Sequence, residues 1–255
     1  MPDAFYLQDG DRFVPSELTR GPWDPQAQHA GPPSALIGRA LERCAPRDGM
    51  RLGRVTFEIL RPVPLAPLEV SARVVRPGRS VELLEATVSG PQGELVRARA
   101  WRLVPGELRL EGDGGEPPAG PQAGEESEFF PTGEPVGYHT AMEYRFITGG
   151  FTEPGPATVW MRMRVPLVDG ERPSPVQRVL MAADSGNGVS AALDWRSYIF
   201  INTDLSVHLM REPTGEWVCL DAVTHVDGLG LADTALWDEG GRIGRAVQTL
   251  LVRPR

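Results

Sequence analysis

The chain has 255 residues, of which 41% are hydrophobic and 24% charged, a balance that suits a globular protein with a sizeable core. Its net charge of −8 and pI of about 5.1 argue against non-specific nucleic-acid binding. All 26 cationic side chains are arginine, which excludes chemistry that needs a lysine: Schiff bases, pyridoxal phosphate attachment and the Walker phosphate loop.

No stretch approaches the ~20 apolar residues of a membrane span. The opening MPDAFYLQDGDRF lacks the basic start and apolar run of a signal peptide, so a cytoplasmic protein is expected. Cys44 and Cys219 lie far apart, without metal-ligand spacing, in apolar-patterned segments; both read as buried structural thiols.

In chain order, an irregular start leads to His29-Ala-Gly-Pro-Pro-Ser-Ala-Leu-Ile-Gly-Arg-Ala-Leu-Glu-Arg-Cys44. Leu36, Ile37, Ala40, Leu41 and Cys44 recur at helical spacing, Pro32 and Pro33 suit a first turn, and Pro46 stops the helix. Alternating segments follow at Arg54–Arg61, Leu68–Val75, Ser80–Ser89 and Glu94–Val104, the last two joined by a Pro91-Gln-Gly93 turn. Residues 106–128 are rich in Gly, Pro and acid with little to bury, and read as an extended linker.

The order then recurs. After a strand at Thr158–Val165, Ser174-Pro-Val-Gln177 has the form of a capping box with proline at the first helical position. Val176, Val179, Leu180 and Ala183 share a helical face. Strands are expected at Ile201–Met210, Trp217–His225, Gly230–Asp238 and Arg242–Val252, with Glu239-Gly240-Gly241 in the place of the earlier turn. Arg61 and Arg211 lie 150 positions apart, and Pro105 and Pro254 lie 149 apart. Each half is a helix followed by strands joined too closely for parallel crossovers, an α+β layer present twice. The expected units are residues 1–105, the linker 106–128, and residues 129–255.

From about Trp23 to Arg253, this order and its motifs resemble the type II (medium-chain thioesterase II) acyl-CoA thioesterases. The resemblance rests on four segments: His29-Ala-Gly31 before the first helix, Met181-Ala-Ala-Asp184, Ile201-Asn-Thr-Asp-Leu205 and Ala246-Val-Gln248-Thr. It implies a double hotdog, two copies of a long helix packed against a curved antiparallel sheet. It also implies a water-activating set of aspartate, threonine and glutamine. Asp184 and Gln248 match that set, whereas Asn202 stands at the threonine position with Thr203 one step on. Strand alternation sends the two to opposite faces, and Asn202 is preferred because Thr203 shares its face with Leu205, Val207 and Leu209.

The chemistry this implies is hydrolysis of a fatty or related acyl-CoA without metal or cofactor. Asp184 acts as general base or water holder, and Asn202 and Gln248 orient the water. Backbone amides of Asp184-Ser-Gly186-Asn-Gly188 are candidates for the oxyanion hole, since glycines permit close approach. Thr203, His29 and Gly31 complete the substrate-binding candidates, although a lone histidine before a helix more commonly packs or caps. Arg61, Arg79, Arg178 and Arg211 are candidates for CoA phosphates. His208 and His225 read as strand surface. Remaining open are a hotdog hydratase, a thioesterase acting on an acyl-carrier protein, and a ligand-binding protein without turnover, as are monomeric and homo-oligomeric states.

Overall fold

The computed structural model describes residues 3–108, 110, 115–129 and 132–255. A hairpin of β1 (Tyr6–Asp9) and β2 (Arg12–Pro15) precedes helix α1 (Gly31–Arg43). Four strands follow: β3 (Arg51–Ile59), β4 (Leu68–Arg76), β5 (Val81–Gly90) and β6 (Gly93–Leu103). The second half opens with β7 (Glu125–Glu126), the short helix α2 (Tyr138–Ala141), β8 (Met142–Gly150) and β9 (Glu153–Met163). Helices α3 (Pro175–Ala183) and α4 (Gly186–Val189) come next. The chain ends with β10 (Tyr198–Asn202), β11 (Asp204–Leu209), β12 (Val218–Asp227), β13 (Leu229–Asp238) and β14 (Gly241–Pro254).

The strands form a single antiparallel sheet in the order β1-β2-β4-β5-β6-β3-β11-β14-β13-β12-β9-β8-β7, with β10 on β14 beside β11. The halves meet where β3 pairs with β11, Val55 opposite Val207. Each side of that seam repeats the other: β3, β6, β5 and β4 are mirrored by β11, β14, β13 and β12. A one-residue bulge recurs too, at Gly53 between Leu52↔Arg102 and Arg54↔Trp101, and at Thr203 between Asn202↔Leu250 and Ser206↔Val247. By this ladder the paired strands are offset by 150 in one case and 148 in the other, one residue short of the 149 read from Pro105 and Pro254.

Alternation explains which residues line the core: Val55 and Phe57 of β3, and Leu84, Ala86 and Val88 of β5, are buried while their neighbours are less so. Helices α1 and α3 cover the same face and pack on each other through small residues. A Cβ on Gly31 would lie 2.5 Å from the Met181 carbonyl oxygen, and one on Gly38 would lie 2.6 Å from Leu180 Cδ1. At Gly31 the atom approached is backbone, and only glycine allows it.

Several expectations change. The second helix is not long: α3 has nine residues against thirteen in α1, because the chain turns at Asp184 before α4. Its capping box is half formed. Ser174 Oγ accepts from the Gln177 N–H at 3.1 Å, but the Gln177 amide reaches Glu42 on α1 at 2.7 Å instead of returning to the cap. The expected strand Ile201–Met210 is two strands split at Thr203. Within the expected linker, residues 109 and 111–114 lie outside the described residues. The rest is not merely extended, since Pro121 is buried and the Ala119 carbonyl accepts the Trp160 indole N–H at 2.7 Å. A buried indole N–H usually finds such an acceptor. Cys219 is buried as expected and Cys44 only half-buried; both thiols are free. No helix among the described residues is long and apolar enough to cross a membrane.

Candidate active site

Asp184 caps the C-terminus of α3 and is 5% exposed. Its carboxylate is surrounded by donors from three separate elements. Oδ1 accepts from Asn202 Nδ2 at 2.8 Å and from Gln248 Nε2 at 3.3 Å. Oδ2 lies 3.1 Å from His29 Nδ1. The Gln248 amide also donates to the Asp184 carbonyl (3.2 Å), and its Oε1 accepts the Asn187 N–H (3.1 Å), fixing the turn between α3 and α4. Of the four lone-pair positions on a carboxylate, three are occupied, leaving one on Oδ2 for a further donor.

His29 stacks on Tyr138, with centroids 3.8 Å apart and planes at 6°. The Tyr138 hydroxyl is anchored on the Met181 carbonyl (2.9 Å) and lies 3.2 Å from Ser185 Oγ. The Gly31 N–H donates to His29 Nδ1 at 3.0 Å when that nitrogen is unprotonated, whereas contact with the carboxylate requires it protonated. The charge of the buried carboxylate repels an Nδ1 lone pair and favours the tautomer whose Nδ1–H donates to Asp184. Burial lowers the His29 pKa below 6.5, and Asp184 offsets this only in part, so the imidazole is neutral at neutral pH. Burial likewise raises the Tyr138 hydroxyl pKa, keeping it protonated.

The bulge at Thr203 brings Asn202 to Asp184. On β10 the even residues Phe200 and Asn202 turn toward the covered face, and on β11 the odd residues Leu205 and Val207 do. Uninterrupted alternation across Ile201–Met210 therefore misassigns the faces. Thr203 is exposed, and its hydroxyl reaches toward the Thr249 carbonyl at 3.4 Å, away from the carboxylate.

Asp184, Asn202 and His29 open onto a cavity of about 400 Å³. Its walls are largely apolar, with Trp23, Ile59, Val63, Ile199, Phe200 and Ile201 among them. Thr203 lines it as well; Gln248 lies behind Asp184 and does not. Gly31, Gly186 and Gly188 also lie off the cavity. Gly31 serves the helix crossing, and a Cβ on Gly186 would meet Thr234 Oγ1 at 2.6 Å, so these two glycines serve packing, whereas a Cβ on Gly188 would meet open space. The Asn187 amide, within the segment expected to supply the oxyanion hole, is already bound by Gln248. Of the arginines, Arg61 borders the cavity. Arg178 is buried against Glu216, and Arg211 is held by Asp238 and the Gly241 carbonyl. Arg255 also borders the cavity and carries no sequence signal, like Tyr138.

The first half lacks this arrangement. At the matching cap and ladder positions stand Cys44, Leu52 and Ala100 in place of Asp184, Asn202 and Gln248. Buried Arg102 instead pairs with Glu82 and donates to the Cys44 (3.0 Å) and Ala45 (2.9 Å) carbonyls.

Residues 19–103 match the acyl-CoA thioesterase N-terminal domain, and residues 113–252 match the acyl-CoA thioesterase C-terminal domain. The chain belongs to the acyl-CoA thioesterase family. It is a thioester hydrolase. No curated protein matches the thioesterase significantly in sequence. Among solved structures it is similar to a hot dog fold protein from Alicyclobacillus acidocaldarius (17% identity, TM-score 0.75, covering 99% of this chain and 97% of that one). It is also similar to a tesB protein from Mycobacterium avium subsp. paratuberculosis (17% identity, TM-score 0.67, 98% and 96%). An acyl-CoA thioesterase II from Mycobacterium marinum gives 15% identity and a TM-score of 0.65, with 98% and 94% covered. At these identities the likeness is one of fold, the hotdog.

Proposed function

We propose that this thioesterase is two fused hotdog units with one working site, hydrolysing fatty or related acyl-CoA esters with water activated by Asp184. The observation that carries the reading is the buried Asp184 carboxylate, held by Asn202, Gln248 and His29 and opening onto a largely apolar cavity. Water donates to the remaining position on Oδ2 and is drawn toward the carbonyl of a thioester seated in the cavity. As the C–O bond forms, the proton passes to Asp184; as the C–S bond breaks, it passes to the CoA thiolate. Asn202 touches both the carboxylate and the cavity. Gln248 is a positioning residue, because it fixes Asp184 from behind.

The test is release of free thiol from a panel of acyl-CoA esters by wild type and Asp184→Asn. The amide keeps the shape but accepts no proton, and loss of ~10²–10⁴-fold in kcat is expected for removal of a general base. Full activity in a folded Asp184→Asn protein would remove Asp184 from the mechanism. Binding of acyl-CoA by the wild type without thiol release would favour a ligand-binding role.

A further inference from the structure

One wall of the cavity is a strand with an unpaired edge. β10 pairs with β14 on one side, and no strand pairs with its other edge among the described residues. The register decides which backbone groups face which way. The Thr203 N–H donates to the Thr249 carbonyl (3.0 Å) and the Arg255 N–H to the Ser197 carbonyl (3.1 Å). Ile199 and Ile201 therefore serve the ladder to β14, and at the bulge the Thr203 carbonyl instead accepts the Ile59 N–H at 2.9 Å. By antiparallel alternation the even-numbered residues, Tyr198, Phe200 and Asn202, turn their N–H and C=O groups to the opposite side. The Tyr198 N–H is taken by the Asp194 carbonyl at 3.0 Å. No hydrogen bond among the described residues reaches the backbone N–H or C=O of Phe200 or Asn202 on that side.

All three residues line the cavity, and Phe200 is 8% exposed. Sheltered backbone groups without partners are costly, and a free strand edge is a template for an extended chain bearing amides. The two ends of this edge differ in chemistry. At one end Asn202 touches Asp184. At the other, Arg255 borders the cavity, its Nε donating to the Trp195 carbonyl at 2.9 Å. From Asn202 to Ser197, which pairs with Arg255, is five residues, roughly 17 Å at ~3.3 Å per strand residue.

We propose that the free edge of β10 is the track for the pantetheine arm of the acyl-CoA, its two amides pairing with the backbone of Phe200 and Asn202 and its phosphates reaching Arg255. The inference rests on the hydrolase reading above, which places the thioester at Asp184. The arm has two secondary amides in an extended chain. It counts roughly thirteen bonds from sulfur to phosphorus, the length of between four and five extended residues, which matches the track. The guanidinium at its end suits a phosphate.

The experiment compares one acyl group carried on CoA, pantetheine, N-acetylcysteamine and mercaptoethanol, which offer two, two, one and no amides. The kcat/KM is expected to fall about tenfold with each amide removed, close to 1.4 kcal/mol per step. Arg255→Gln is expected to bring the CoA ester about tenfold closer to the pantetheine ester. Independently, hydrogen exchange at the Phe200 and Asn202 amides is expected to slow when CoA is added, while Ile199 and Ile201, already in the ladder, change little. Equal kcat/KM on all carriers, with no protection of the two amides, would overturn the track and leave the hydrolase standing. Protection of both amides by CoA without cleavage of any ester would leave the track standing and overturn the hydrolase.

Discussion

Asn202 reaches Asp184 only because the strand carrying it slips by one residue at Thr203. Its Nδ2 then lies 2.8 Å from Oδ1, and it also lies 3.4 Å from the Asp204 carbonyl just beyond the bulge. A donor is required there, since the facing atom is a buried carboxylate oxygen. Asn202→Asp would place a second carboxylate against the first, and two such groups resist joint ionisation. The base is active when ionised, so the acid limb of the kcat/KM profile is expected to move to higher pH. An unmoved limb in the pH–rate profile would show that Asp184 does not act as the ionised base.

His29 gives a pH dependence of stability. Burial lowers its pKa in the folded state below the 6.5 of an ordinary histidine, with Asp184 partly opposing. The unfolded chain therefore takes up this proton before the folded chain does. The stability tied to neutral His29 is full above pH 6.5 and is lost as pH falls from there through the lowered folded value. His29→Phe keeps an aromatic ring on Tyr138 and removes the titration. Urea unfolding at pH 7.5 and 5.5 is expected to show a smaller loss of stability in the variant than in wild type; equal losses would contradict the burial of a neutral imidazole.

Gly31 tests how tightly the helices fix the site. Its absent Cβ is what lets α1 approach the Met181 carbonyl, which also accepts the Tyr138 hydroxyl. Gly31→Ala would ordinarily favour a helix, but here the methyl would sit 2.5 Å from a backbone oxygen. Overpacking of this kind costs about 1–3 kcal/mol. Thermal unfolding is expected to show a lowered Tm, and thiol release a lowered kcat, because Asp184 lies three residues beyond Met181. A Tm at or above that of wild type would mean that the helices separate freely.

Periodicity carried most of the strands: Leu68–Val75 and Ser80–Ser89 fall within a residue of β4 and β5, since their alternation is unbroken. Proline and serine placed the starts of α1 and α3. What periodicity could not show depends on the partner strand. The bulge at Thr203 exists only in the register with β14, and INTDLS reads as a plain alternating strand. The β1–β2 hairpin and β8 are also weakly patterned. In the site, Asp184, Asn202 and Gln248 were legible through a resemblance. The stack of His29 on Tyr138 joins residues 109 positions apart with no local signal. The free edge of β10 is visible only once the neighbours of every strand are known.

The first half poses the converse case. Its C-cap and ladder carry Cys44, Leu52 and Ala100, and Arg102, paired with Glu82 at 2.8 Å, ties the end of α1 through the Cys44 and Ala45 carbonyls. Both side chains are nearly inaccessible, at 5% and 3% exposure, and removing Arg102 leaves Glu82 with only the longer Arg47 contact at 3.7 Å. Arg102→Met is expected to cost about 3–5 kcal/mol, the usual penalty for breaking a buried pair. The double change Arg102→Met, Glu82→Met, which removes both charges, is expected to recover much of that loss. Chemical denaturation measures both. Since no acid or amide stands at the matching positions, kcat per folded molecule is expected to be unchanged in either variant. A fall in kcat with stability restored would mean that the first half takes part in the chemistry, and that one chain holds more than a single working site.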